Sequence, residues 1–180
     1  DLYKKIHVSI NLSAMDIYNE DIIYMLAMLF DGEKAKRVTV EILESEEIEN
    51  YDFFKEQMFK IKEIGCQIAI EDFGTGYSNF SHIVELNPDY LKIDGSLIKN
   101  IDLDPRAFSI VKAIKLFADD LGIDVVAEFI HNEQVLNKVK SVGIRYGQGF
   151  YLKKPIELEI KKDMDYYKMY EDMLASASAS

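Results

Sequence analysis

Short runs of β-branched and other apolar residues recur along the chain, with enough residues between successive runs to form a helix. Runs of this kind, bounded by polar or turn-forming residues, are typical of buried strands. Six runs fit the description, at residues 7–11, 38–43, 67–71, 90–94, 124–128 and 144–148. The pattern therefore predicts six strands.

The segments between these runs have the apolar periodicity of amphipathic helices. Residues 16–30 place Ile17, Leu26 and Leu29 on one broad apolar face. Residues 51–64, 105–121 and 132–142 repeat the periodicity, and each is followed by glycine, a common residue at the end of a helix. We therefore predict four helices, over 16–30, 51–64, 105–121 and 132–142.

Strand and helix alternate, which predicts an α/β fold with a parallel sheet and crossover helices. Two architectures have this order, an open doubly wound sheet and a (β/α)₈ barrel. No G-x-G-x-x-G motif follows the first strand, which weakens the dinucleotide-binding form of the open sheet. A full barrel usually needs about 250 residues. We expect about six βα units of a TIM-barrel-like fold, with the shortfall at the N-terminus.

Composition adds a cellular setting to this picture. The hydrophobic fraction of 48% is enough for one domain with a sizeable core. There is no run of eighteen apolar residues and no leader peptide, so we expect a cytoplasmic domain without a membrane segment. The single cysteine, Cys66, fits a reducing compartment. Residues 175–180 alternate alanine and serine and are interpreted as an added low-complexity tail, which leaves a domain at 1–174.

Charge narrows the classes of ligand. A net charge of −11 disfavours duplex DNA or RNA, whose binding depends on Lys and Arg at the phosphates. A small phosphate ligand stays compatible, because bound divalent metals reverse the local field. The three histidines have no Cys/His partners at zinc spacing, so any metal should be a hard ion held by oxygen.

Polar side chains stand where each predicted strand ends. Such groups are costly on apolar parallel strands unless they are paired or bind a metal, and catalytic groups of barrels converge at these ends. Each has a simpler explanation: Asn11 as a turn residue, Glu41 as the ion-pair partner of Lys92, Asp94 as a helix cap. The joint pattern favours one site, made of Asn11, Glu41, Glu71, Asp72, Lys92, Asp94, Glu128 and Gln148.

Clustered carboxylates with an amide oxygen make a site for Mg²⁺ or Mn²⁺. Two such ions about 4 Å apart can activate a water and hold a phosphodiester for in-line attack. A nearby lysine can orient that water or stabilise the developing charge. The residues by themselves therefore favour metal-dependent phosphodiester chemistry.

Several segments resemble motifs of the EAL-domain cyclic-di-GMP phosphodiesterases, in order from residue 7 to about residue 158. The most specific are the loop beginning D-F-G-T-G-Y-S, the L-K-I-D strand and the closing Q-G. The segments are V-S-I-N-L-S at 8–13, E-I-L-E-S at 41–45, E-D-F-G-T-G-Y-S at 71–78, L-K-I-D at 91–94, V-V-A-E at 125–128 and Q-G-F-Y-L-K-K-P at 148–155.

The resemblance implies hydrolysis of cyclic di-GMP to the linear dinucleotide in a two-metal site that uses Mg²⁺ or Mn²⁺. Lys92 would be the water-positioning or general-base group, Glu128 a further catalytic residue and Gln148 a support of the metal-bound site. The implied metal ligands are Asn11, Glu41, Glu71, Asp72 and Glu128.

Five more positions match the family motifs. The loop containing Gly74, Thr75 and Gly76 would couple substrate binding to a dimer interface, which implies a homodimer. Glu44 matches the second glutamate of E-x-T-E-S, and Pro155 matches the closing proline. The resemblance also implies a bacterial signalling role, with a GGDEF or sensory domain upstream.

Four features depart from the family pattern. The E-A-L strand, with its glutamate and the arginine that follows, is not found in the chain. Glu71 replaces an aspartate, Phe129 and His131 replace the Gly and second Glu of A-E-G-V-E-T, and Gly95 replaces a common arginine. A displacement of about 1 Å at a reacting group can cost 10²-fold in rate, so we expect impaired hydrolysis.

Two other functions fit the same residues. One is a degenerate domain that binds cyclic di-GMP or a protein without hydrolysis, which the changes at Glu71 and His131 favour. The other is an enolase-like Mg²⁺-dependent lyase with Lys92 as its base, which the F-G-T-G-Y-S loop serves poorly.

Overall fold

The computed structural model describes residues 6–30, 32–43, 48, 50–74 and 80–156. Its sheet has six parallel strands whose spatial order is their order along the chain. An open doubly wound sheet would reverse direction at a switch point, so this order confirms the barrel-type interpretation. The strands are β1 (Val8–Asn11), β2 (Val38–Leu43), β3 (Gln67–Phe73), β4 (Tyr90–Ile93), β5 (Asp124–Ala127) and β6 (Tyr146–Gly147).

Helices connect the strands, and most begin at a polar cap. Asn50, Asp104 and Asn132 each accept a backbone N–H of the helix that follows, which satisfies a donor without an intrahelical partner. The helices are α1 (Ala14–Ile17), α2 (Glu20–Leu29), α3 (Tyr51–Ile64), α4 (Phe80–Leu86), α5 (Gly95–Ile98), α6 (Pro105–Leu121) and α7 (Glu133–Ser141), with a 3₁₀ turn at Ala35–Arg37.

The core lies on one face of the sheet. Val40, Ile68 and Leu91 are fully buried there and belong to the same apolar cluster as residues of α2, α3 and α6. Because side chains alternate along a strand, Glu41, Ala69 and Lys92 point to the opposite face. The alternation therefore places apolar residues against the helices and the polar strand-end residues together on the other side.

The predicted helix over 16–30 is wrong in one respect, because two helices occupy this segment. Asn19 lies between them in an extended conformation, and its side-chain oxygen accepts the backbone N–H of Asp21 to begin α2. Apolar periodicity continues across the break, so the pattern did not reveal it. The short helices α4 and α5 were also not predicted, and the last strand is shorter than the predicted 144–148.

The capping box of α1 gives a first testable prediction. Ser13 Oγ accepts the N–H of Asp16, whose carboxylate accepts from Ser13 N at 2.9 Å and Ser13 Oγ at 2.7 Å. These hydrogen bonds lower the pKa of Asp16. Ser13→Ala should lower the free energy of unfolding at pH 7 by about 1 kcal/mol in urea titrations. Ser13→Thr should keep the wild-type stability, because its hydroxyl can form the same cap.

The pH dependence supplies the control for this cap. The pKa of Asp16 is depressed by folding, so its contribution is fully present above the ordinary value of 3.8 and is lost as the pH falls through the folded value. The difference between Ser13→Ala and the wild type should therefore shrink in acid. A difference that stayed constant down to pH 2 would contradict the carboxylate's part in the cap.

Candidate active site

A buried ammonium group is the centre of the site. Lys92 lies on β4 with 5% of its side chain exposed. Its Nζ lies 2.9 Å from Glu41 Oε2 on β2 and 3.1 Å from Glu128 Oε1 at the end of β5, and it also pairs with Glu71 of β3. Three predicted metal ligands thus converge on the predicted catalytic lysine. The structure also contains the Glu41–Lys92 ion pair that was the simpler explanation for Glu41.

The carboxylates around Lys92 differ in their proton affinity. Burial raises the pKa of Glu71, and the neighbouring Glu41 adds to the effect. Burial also acts on Glu41, but hydrogen bonds from Ser9 and Lys92 outweigh it and lower its pKa. Burial alone would lower the pKa of Lys92, yet its bonds to Glu71 and Glu41 and the charge of Glu128 raise it. The lysine is therefore a cation at neutral pH in this arrangement.

An irregularity in β3 brings two consecutive acidic residues to the same site. The pairing of β3 with β4 shifts register between Ile70 and Phe73, and Asp72 has a positive φ of 56°. In a regular strand Glu71 and Asp72 would point to opposite faces. The bulge removes that constraint, which is how bulges re-aim side chains next to active sites.

A second group of carboxylates lies beside the first. Oxygen atoms of Asp72, Asp94 and Glu128 lie within 4.8 Å of one another. Burial and the nearby Asp94 raise the pKa of Asp72. For Asp94, hydrogen bonds from Ser96 outweigh burial and lower the pKa, and its Oδ1 accepts Ser96 N at 2.8 Å. Glu128 belongs to both groups.

Asp94 was not among the predicted ligands, although it was noted at a strand end. It also caps α5, as the simpler explanation proposed. Its position two residues after Lys92 could have placed it in the site from the sequence alone, because residues i and i+2 on a strand point to the same face. The structure gives this carboxylate both a capping role and a place in the acidic group.

The two predicted amides lie at the rim. Asn11 ends β1 and is exposed. With its amide nitrogen turned toward the carboxylates, it donates to Glu41 Oε2 at 3.3 Å and Glu71 Oε2 at 3.2 Å. Gln148 follows β6, is exposed and lines two cavities, one of which also borders Glu41 and Lys92. Both amides can reach ligands that approach the strand ends.

The remaining predicted positions fall on loops. Gly74 follows β3 with a φ of 102°, and a Cβ there would lie 2.6 Å from Leu97 Cδ1, so its glycine is explained by backbone conformation and packing. Pro155 lines the same cavity as Glu128 and Gln148. Glu44, Thr75 and Gly76 lie outside the described residues.

The donor set fits a hard divalent metal. Asp72, Asp94 and Glu128 each offer a carboxylate oxygen close enough to share one ion, and the carboxylates of Glu41 and Glu71 lie beside them around Lys92. Oxygen-only sets of this kind favour Mg²⁺, Mn²⁺ or Ca²⁺ over Zn²⁺. The arrangement can hold metal ions and also supply a cation, Lys92, next to them.

The comparisons with known proteins agree with this geometry. A family model described as the EAL domain matches residues 1–155. The chain belongs to the EAL domain family. It is 37% identical over 153 residues to Cyclic di-GMP phosphodiesterase PdeA of Borreliella burgdorferi, covering 83% of this chain and 23% of that protein. It is 39% identical over 122 residues to Cyclic di-GMP phosphodiesterase PdeF of Escherichia coli K12, covering 68% and 16%.

Solved EAL structures have the same fold. The EAL domain of Mycobacterium smegmatis DcpA superposes with a TM-score of 0.80 at 30% identity, covering 85% of this chain and 70% of that one. Klebsiella pneumoniae BlrP1, in a complex with manganese and cy-diGMP, superposes with a TM-score of 0.73 at 31% identity, covering 80% and 38%. The fold prediction of a partial barrel of the EAL type is therefore confirmed.

Two further facts bear on the EAL domain's context. The chain spans about a fifth of the length of the curated relatives it matches. Among the helices that the structure describes, none is long and apolar enough to cross a membrane.

Proposed function

We propose that this EAL domain binds cyclic di-GMP and hydrolyses one phosphodiester to give the linear dinucleotide. The observation that carries the proposal is the convergence of Glu41, Glu71 and Glu128 on the buried Lys92 at the carboxyl ends of the strands, with Asp72 and Asp94 grouped beside Glu128. Relatives at 37% and 39% identity that are named cyclic di-GMP phosphodiesterases support the choice of substrate.

The chain's own residues divide into three roles in this proposal. The carboxylates of Glu41, Glu71, Asp72, Asp94 and Glu128, with the Asn11 amide, would hold Mg²⁺ or Mn²⁺. When bound, such ions activate the attacking water and neutralise charge on the phosphodiester. Gln148 would support the site from its rim.

Lys92 would act as a cation in the reaction. Its pKa is raised by the surrounding carboxylates, so the ammonium persists at neutral pH. An ammonium can orient the attacking water and stabilise charge that develops on the phosphate oxygens. Of the two roles predicted for this residue, water positioning fits its surroundings better than the general-base role.

The wider context of the domain is proposed from the family resemblance. We propose a cytoplasmic homodimer whose contact involves the loop at 73–79, and an upstream GGDEF or sensory domain in the parent protein. The domain itself is proposed to extend over residues 1–174, with 175–180 as a tail.

A binding function without hydrolysis is the second candidate, and one contact favours it. Glu71 stands where the family has a shorter aspartate and forms an ion pair with Lys92. A carboxylate held by the lysine is less available to a metal ion. This candidate predicts that cyclic di-GMP raises the melting temperature without being consumed.

One experiment separates the two candidates. The intact protein is incubated with cyclic di-GMP and Mn²⁺, and the linear dinucleotide is quantified by chromatography. We expect product, a higher melting temperature in Mn²⁺ than in EDTA, and a loss of at least about 10²-fold in rate for Glu128→Gln. Glu128→Gln should also reduce the Mn²⁺-induced rise in melting temperature.

Glu33→Gln is the matched control, because Glu33 is an 86% exposed carboxylate that pairs with Lys36 on the surface. It should leave both the rate and the metal response unchanged. Stabilisation by cyclic di-GMP without product would instead favour the binding function. The absence of both product and stabilisation would contradict both candidates.

A further inference from the structure

Phe129 is a bulky residue in a conformation that such residues rarely adopt. Its φ is 55°, in the left-handed region, and the residue is 57% exposed to solvent. A positive φ is a genuine outlier for a large side chain, and strained backbone of this kind clusters at functional sites. An exposed position gains little from packing, so burial does not explain why phenylalanine stands here.

The room for this side chain is provided by Gly95. A Cβ on Gly95 would lie 2.8 Å from Phe129 Cβ and 3.3 Å from its Cγ, so any other residue at position 95 would force one of the two segments to shift. Both positions depart from the family motifs, which commonly have arginine at the position of residue 95 and glycine at that of residue 129. The two departures are therefore structurally coupled: the Phe129 side chain occupies space next to residue 95 that is open because residue 95 is glycine.

Phe129 forms part of the wall of a cavity of about 330 Å³ beside the acidic cluster. The wall also contains Phe150, which is 67% exposed, and Lys153. Cavities for small ligands span roughly 300–1,000 Å³, so this one suits a part of a dinucleotide rather than the whole molecule. Asp94 and Glu128 lie in the same wall and disfavour an unscreened phosphate there.

A nucleobase fits this combination of groups. Exposed aromatic faces bind bases by stacking, and lysine is a common partner of the O6 and N7 acceptors of guanine. We propose that Phe129 is a specificity-determining residue that stacks on one guanine of the cyclic dinucleotide, with Gly95 keeping open the space that it needs. This inference rests on the proposed function and adds a residue to it.

Affinity and stability together test the stacking role. The intact protein is titrated calorimetrically, in Mn²⁺, with a hydrolysis-resistant phosphorothioate analogue of cyclic di-GMP. Phe129→Gly should raise Kd about tenfold, which is the loss of affinity expected for one stacked base, while Phe129→Tyr should keep the wild-type Kd. The melting temperature of Phe129→Gly should stay equal or rise, because glycine adopts a φ of 55° without strain.

Phe59→Ala is the control for removing an exposed phenylalanine, since Phe59 on α3 is 54% exposed and does not line the cavity. Its Kd should equal that of the wild type. A second measurement needs no ligand: Gly95→Ala should lower the melting temperature of the wild type and have a much smaller effect in the Phe129→Gly background.

The outcomes are distinguishable from failure of the proposed function. Wild-type protein that does not bind the analogue overturns the proposed function and the stacking role together. Wild-type binding with an unchanged Kd in Phe129→Gly overturns only the stacking role. If Gly95→Ala lowers the melting temperature equally in the wild type and in Phe129→Gly, the steric coupling between residues 95 and 129 is overturned.

Discussion

Lys92→Met is expected to lower the free energy of unfolding by about 3–5 kcal/mol in metal-free buffer. The substitution removes the ammonium that pairs with Glu41, Glu71 and Glu128, each with less than a fifth of its side chain exposed. Uncompensated carboxylates in a partly buried site repel one another and are poorly solvated. Urea denaturation followed by circular dichroism measures the loss.

Metal should partly restore the stability of this variant. Divalent ions held by the same carboxylates would supply the missing positive charge, so the loss in Mn²⁺ should be smaller than in EDTA. The rate of cyclic di-GMP hydrolysis should nevertheless stay about 10²–10³-fold below the wild type, because the positioned cation is gone.

Lys36→Met provides the comparison for a surface ion pair. Lys36 and Glu33 are 65% and 86% exposed, and pairs of this kind contribute about 0–1 kcal/mol. A loss for Lys92→Met no larger than that for Lys36→Met would contradict the view that Lys92 is the counter-charge of the site.

Gly149→Ala is expected to cost more than about 3 kcal/mol of stability, through backbone strain and overpacking together. Gly149 has a φ of 156°, and a Cβ there would overlap the backbone of Ile130, with the Ile130 carbonyl carbon 2.7 Å away. Ile130 N donates to Gln148 O at 3.0 Å, and Tyr151 N donates to Ile130 O at 3.1 Å. The added methyl group would separate these segments and displace Gln148.

Gly143→Ala is the matched control for positive φ alone. Gly143 has a φ of 90°, but a Cβ there would meet nothing within 4 Å, so the expected loss is about 1–2 kcal/mol. Thermal and urea unfolding of the two variants isolate the effect of close approach. Equal losses would show that contact between Gly149 and Ile130 is unimportant.

Gly149 is the glycine of the Q-G motif. Its close approach to the backbone of Ile130 explains by packing why a glycine stands at this position.

Much of the fold followed from local patterns. Strand β2 and helices α3 and α6 have the bounds that were predicted, because each combines a clear apolar period with a strong start or end signal. Asp104 and Pro105 begin α6 and Gly122 ends it with a φ of 73°, which is chemistry that adjacent residues determine. The break at Asn19 was missed because a cap inside a continuing apolar period looks like an ordinary polar position.

The site was predictable to the extent that it depends on strand ends. Glu41, Lys92 and Glu128 could be assigned to one edge, since parallel strands bring their carboxyl ends together. The pairing of Lys92 with Glu41, two strands away and 51 residues apart in the chain, could be offered only as one alternative. The roles assigned to these residues in catalysis remain predictions.

The sequence by itself determined the alternation of strands and helices, the family, and the acidic character of the strand ends. Only the tertiary structure decided that Asp72 joins Glu71 on one face, that Asp94 completes an acidic group, and that Phe129 lies against Gly95. The physical reason is that the first set depends on periodicity and local hydrogen bonds. The second depends on a register shift, on left-handed φ angles and on contacts between distant segments, which no local pattern specifies.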